Sequence, residues 1–170
     1  NNATKQIELF DQARRVPAQR QLVFGPTISV VGSAAAWTDP GFPAAGGRVE
    51  TWLQFRNDKA SGLGIPLPAG RVRIYQEDVD GSPLLVGEDT IDHTPKNETV
   101  RLTVGSAFDV KGERVQTDYK PLGDSGAEES FTITLRNHKA EPVEVRVVEN
   151  LYRWSGWTIT SETVDGKPVE

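Results

Sequence analysis

Asp92-His93-Thr94-Pro95-Lys96 sets an imidazole between a carboxylate and an amine. A carboxylate that orients a histidine is the arrangement of a general base. Adjacent side chains on an extended chain point in opposite directions, however, and Asp and Thr ahead of Pro are turn formers, so the segment is read as a turn. Glu77-Asp78-Val79-Asp80-Gly81 sets three carboxylates on five positions, as a calcium loop would. An EF-hand series runs on to a bidentate Glu, whereas this one breaks at Ser82-Pro83, and a solvated acidic hairpin is expected instead. The glycines of Gly62 to Gly70 (GLGIPLPAG) suggest a phosphate cradle. No Lys-Ser or Lys-Thr follows, and two prolines remove backbone donors, so the segment is expected to be a rigid connector leading to Arg71. No GxSxG elbow is present for a serine nucleophile.

The remaining candidates are aromatic. Tyr152, Trp154 and Trp157 cluster in LYRWSGW, and Trp52 stands on the otherwise polar face of its segment. Such rings stack on sugars or pack against protein, and a ligand site would add convergent polar groups. These four residues are the expected ligand or partner contacts, a protein partner being favoured over a glycan. Cysteine is absent and only His93 and His138 supply imidazoles, which excludes thiolate and multi-histidine metal sites. No catalytic residue, cofactor or metal is assigned, and the chain is expected not to be an enzyme. Asn2-Ala3-Thr4 and Asn97-Glu98-Thr99 match the N-glycosylation pattern, which has meaning only in a glycosylating secretory pathway.

The elements that must position these residues are strands. Val, Ile and Thr number 39 against 11 Leu, and β-branched side chains suit a pleated surface. Period-two alternation predicts half-buried strands. In Arg48–Arg56 the inward face is Val49, Thr51, Leu53 and Phe55; in Arg71–Glu77 it is Val72 and Ile74; in Thr99–Val104 it is Val100, Leu102 and Val104. Ser130–Asn137 turns Phe131, Ile133 and Leu135 inward, Pro142–Asn150 turns Val143, Val145 and Val147 inward, and Trp157 and Ile159 continue the pattern in Gly156–Thr163. Lys5–Phe10, Gln19–Phe24, Leu84–Glu88 and Glu113–Lys120 are shorter candidates, with a helix over Ala3–Arg15 as the rival at the N-terminal end. Asp80-Gly81 and Thr94–Asn97 carry turn chemistry, and Asn137–Pro142 is expected to close a hairpin. The sum is an all-β antiparallel sandwich of about eight to ten strands. With 170 residues it forms one domain, in which 32–47, rich in Gly, Pro and Ala, is a long loop or insertion.

A net charge of −5 argues against nucleic acid as partner. The longest weakly polar run, Thr27–Trp37, is about half of the ~20 residues a membrane helix needs. The absence of methionine, even at position 1, leads us to expect a processed or excised piece of a longer product.

Taken together, the phrases TKQIELF, VETWLQFRNDKASGLGIPLPAGRVRIYQEDVDG, GEDTIDHTPKNETVRLTVGSAFDVKGERVQTDYK, ESFTITLRNHKAEPVEVRVVENLYRW and WTITSET resemble the secreted β-sandwich domain of unknown function 4139 of mucoidy-inhibitor-A-like proteins. The likeness runs from about Thr4 to Thr163, broken by 32–47. It implies an exported or cell-envelope domain and carries over no catalytic residue. It also implies that strands of the family before Thr4 and after Glu170 are missing here, trimmed or supplied by another chain. Open sheet edges are the expected consequence, and unpaired N–H and C=O rows are templates for a protein partner, for self-association or for strand complementation in a filament.

Overall fold

The computed structural model describes residues 13, 15–25, 47–123, 126–149 and 156–169. All regular structure in them is strand: β1 (Ala18–Gly25), β2 (Arg48–Arg56), β3 (Gly70–Glu77), β4 (Pro83–Ile91), β5 (Thr99–Ser106), β6 (Val110–Pro121), β7 (Ala127–Asn137), β8 (Val145–Val147), β9 (Thr163–Val164) and β10 (Lys167–Pro168). The fold is therefore all-β. The described residues hold no helix long and apolar enough to cross a membrane. One sheet has the order β5-β2-β1-β8, and β3-β4, β6-β7 and β9-β10 form two-stranded sheets. The pairs β2–β5, β3–β4, β6–β7 and β9–β10 are antiparallel. By contacts the chain divides into two compact units: Asn1–Val23, Glu50–Ala107 and Glu144–Arg146 form the first, and Phe24–Val49, Phe108–Val143 and Val147–Glu170 the second.

In the first unit the alternation of β2 and β5 does what the side-chain pattern requires. Thr51, Val100 and Leu102 are buried, and the register sets Leu53 opposite Leu102 and Phe55 opposite Val100. β4 lies against β5. The ladder between β3 and β4 slips after Ile74, and the Gly87 that follows the slip comes so close to β5 that a Cβ would collide with the Val104 carbonyl. The Asp89 carboxylate accepts the Thr103 N–H at 2.6 Å, so a side chain stands in for a ladder bond along this seam.

The second unit centres on Phe24, which is fully buried with Val49 and Val110. Gly47 and Gly112 lie against its ring, and a Cβ on either would overlap it. Glycine is needed here to clear the ring, with no demand on φ.

Four expectations are corrected. Asn137–Pro142 closes no hairpin, because β7 pairs with β6 while β8 belongs to the sheet of β1, β2 and β5. The expected strand Pro142–Asn150 shrinks to Val145–Val147, and Val147 is exposed while Val148 is half-buried, its N–H donating to the Phe24 carbonyl at 2.8 Å. Leu135 is exposed, since the inward face of β7 ends at Ile133. Residues 156–162 form no strand, and Trp157 and Ile159 are 59% and 57% exposed. Lys5–Phe10, 32–46 and most of Ala3–Arg15 lie outside the described residues.

Candidate functional site

Asn57, just past the end of β2, organises the connector that feeds β3. It is fully buried, its side-chain N–H groups donate to the carbonyls of Ile65 at 2.7 Å and Pro95 at 3.0 Å, and its Oδ1 accepts the Gly64 N–H at 3.1 Å. Its backbone donates to Glu98 O at 2.8 Å and accepts from Asn97 N at 2.6 Å. Gly64 has φ 88° and comes within 2.8 Å, measured from an added Cβ, of the Lys59 nitrogen, so a side chain there would meet both strain and a clash. Leu67 then forms a two-way bridge with Thr94, at 2.9 Å in each direction. The GLGIPLPAG segment is thus the fixed connector expected of it, held by side-chain and backbone bonds as well as by its prolines.

The β3–β4 hairpin that follows is long and water-facing. At its base, Glu88 of β4 receives Arg73 of β3 at 2.9 Å and Arg71 at 3.3 Å. The carboxylate raises the pKa of Arg73 further, chiefly through that hydrogen bond. At its tip, the Asp78 N–H donates to Ser82 O at 2.9 Å and Gly81 N to Asp78 O at 3.0 Å, with Gly81 at φ 82° as the Asp-Gly signal requires. Asp80 accepts both the Ser82 hydroxyl at 2.6 Å and its N–H at 2.9 Å, and the hydroxyl bond leads in holding its carboxyl below the usual range. The turn therefore consumes acceptor capacity that a cation would need. Between base and tip, Tyr75, Leu84 and Leu85 are more than half exposed, as is Val79 in the turn itself, and Tyr75 stands directly opposite Leu85. Among the described residues β3 has a strand neighbour on one side only, namely β4. Its outer edge carries backbone donors and acceptors along the row Arg71 to Glu77.

Of the four sequence-derived contact residues, Trp52 and Trp157 lie among the described residues. Trp52 is half-buried on β2; its indole N–H donates to Glu50 at 3.1 Å, and the Arg101 guanidinium covers the ring at 4.6 Å from its centroid. That cation–π contact occupies a face a sugar would use. Trp157 is exposed in a segment without strand structure. Tyr152 and Trp154 lie outside the described residues. His93 is exposed, its Nδ1 accepting the Ala69 N–H at 3.3 Å, so its ring is engaged in fixing the turn. No group of three or more His, Asp or Glu suited to a metal ion occurs among the described residues.

Like Asn57, Arg114 is a buried polar group that the sequence reading did not single out. Arg114 of β6 is 1% exposed, grips Glu149 through Nε at 3.0 Å and Nη2 at 2.6 Å, and lies with its guanidinium carbon 3.6 Å from the centre of the Phe131 ring. Bidentate pairing and ring stacking are what a guanidinium needs to leave water. This is a fastening between β6, β7 and the chain beyond β8. Comparison of the chain with protein-family models, with curated proteins and with solved structures finds no match.

Proposed function

We propose that this chain is a non-catalytic structural and interaction module of an exported or cell-envelope protein, of the β-sandwich kind its sequence phrases resemble, and that it contacts protein through sheet edges. The observation that carries this reading is the β3–β4 hairpin. It is rigidly rooted through Asn57, presents four apolar side chains to water, and has a strand with no neighbour on its outer side among the described residues. Exposed apolar groups beside an unpaired strand edge are what an added strand uses: backbone bonds supply affinity and flanking side chains supply selectivity.

The test is sedimentation velocity of the full chain from low micromolar to sub-millimolar concentration, with strand-length peptides added in parallel. Association with copies or with an extended peptide is the expected result. A chain that stays monomeric and takes up no peptide would contradict the reading.

A further inference from the structure

We propose that the partner for the β3 edge is the β3 edge of a second copy of this chain, paired antiparallel about a two-fold axis at Ile74. This rests on the interaction reading and names its partner. The argument is self-complementarity. An isologous contact is favoured when a strand read against itself reversed sets complementary residues opposite one another, and in β3 the charged, aromatic and central apolar positions do so. With Ile74 facing its own counterpart, Arg71 stands opposite Glu77, Val72 opposite Gln76 and Arg73 opposite Tyr75, and each unlike pair occurs twice.

The faces sort correctly as well. Residues opposite each other share a face, so the exposed row Arg71, Arg73, Tyr75, Glu77 forms two ion pairs and two cation–aromatic pairs. The other row brings Ile74 to Ile74, both half-buried, and sets Val72 opposite the exposed Gln76. Shifting the register loses this. Centring on Arg73 brings like charges together, and centring on Tyr75 keeps two Arg73–Glu77 pairs but sets Ile74 against Gln76 and leaves Arg71 beyond the end of the partner strand. β7, an outer strand of the other long hairpin, fares worse: its best charge register, Glu128 against Arg136, sets Glu129 against Leu135. The β3 backbone is also regular along its length, since the slip in the β3–β4 ladder places the extra residue, Val86, on β4.

The test uses the full chain and a charge exchange. Arg71→Glu converts two attractive pairs into two repulsive ones and is expected to weaken the dimer about thirtyfold; Glu77→Arg does the same. The double variant R71E/E77R restores the complementary pattern and the dimer with it. Cysteine is absent from the chain, so introduced thiols report cleanly. Chains carrying Arg73→Cys mixed with chains carrying Tyr75→Cys are expected to form a mixed disulfide dimer, while neither crosslinks to itself. Both positions are exposed, and unchanged melting of the variants separates loss of contact from loss of fold.

Self-association that ignores the charge exchange would overturn the β3 assignment and leave edge-driven assembly standing. Self-crosslinking of Tyr75→Cys would overturn the register. A strict monomer would overturn the proposal, and peptide binding elsewhere would then still distinguish the broader reading.

Discussion

Truncating Asn57 to alanine should loosen the root of the β3–β4 hairpin and nothing else at first. The side chain makes three hydrogen bonds inside a fully buried site, to Ile65, Pro95 and Gly64. At ~1 kcal/mol each, with two carbonyls and one N–H left without partners, the loss is ~3 kcal/mol. For a chain of this length that corresponds to a fall in Tm of roughly 6–12 °C. Asn57→Asp sharpens the test, because a carboxylate would face the Ile65 and Pro95 carbonyls, both acceptors, and keep only the Gly64 donor. Burial and those carbonyls raise the pKa of such an Asp when folded. The folded variant then binds its proton more tightly than the unfolded one, so its deficit shrinks as pH falls. The assays are thermal melting and amide exchange at Gly64 and Leu67. Neither variant touches the backbone bonds of residue 57 to Glu98 and Asn97. Melting indistinguishable from the wild type, with unaltered Gly64 exchange, would refute the claim that this amide holds the connector.

Three further outcomes are expected. Gly112→Ala drives a Cβ into the Phe24 ring and should cost ~1–3 kcal/mol of stability by chemical denaturation, with much of it recovered in the double variant that also carries Phe24→Leu. Leu102→Asp buries a charge at a position 3% exposed and should abolish cooperative folding, whereas Leu135→Asp, at a position 37% exposed, should cost about 1 kcal/mol or less; equal effects would contradict the assigned faces. The Asp80 carboxyl, held low first by the Ser82 hydroxyl, supports folding fully above its unfolded value of 3.8 and loses that support as pH falls through its folded value below it. An NMR titration should show the Asp80 midpoint rising in Ser82→Ala.

The strands were legible wherever one face is apolar and the other wet. β2, β3 and β5 alternate cleanly, and the Asp-Gly and Thr-Pro turns carry their own φ requirements, so these elements could be placed from residue types alone. The reading failed where valines follow one another without a partner face. Pro142 to Asn150 looks like a strand of nine residues, yet strand structure ends at Val147 and the Val148 N–H bonds the Phe24 carbonyl. In β6, expected only as a short strand over Glu113–Lys120, the structure buries Arg114 and exposes Val115, the reverse of what residue type favours. Nothing in sequence spacing reveals that Glu149, 35 positions away, and the Phe131 ring stand ready to receive the guanidinium. Asn57 was silent for the same reason, since its partners at 64, 65 and 95 become neighbours only once the connector is folded. Of the candidate site, the acidic turn was visible, but the exposure of Tyr75, Leu84 and Leu85 depends on which strand lies beside which, and that is a property of topology.

Site-resolved hydrogen exchange along β3, followed as concentration rises, bears most directly on edge pairing. Those β3 amides that do not donate to β4 should exchange freely in dilute solution and become protected as the chains associate, with the amides of β5 unchanged. Outer-edge amides that are equally fast at every concentration, or protected already in the monomer, would contradict it.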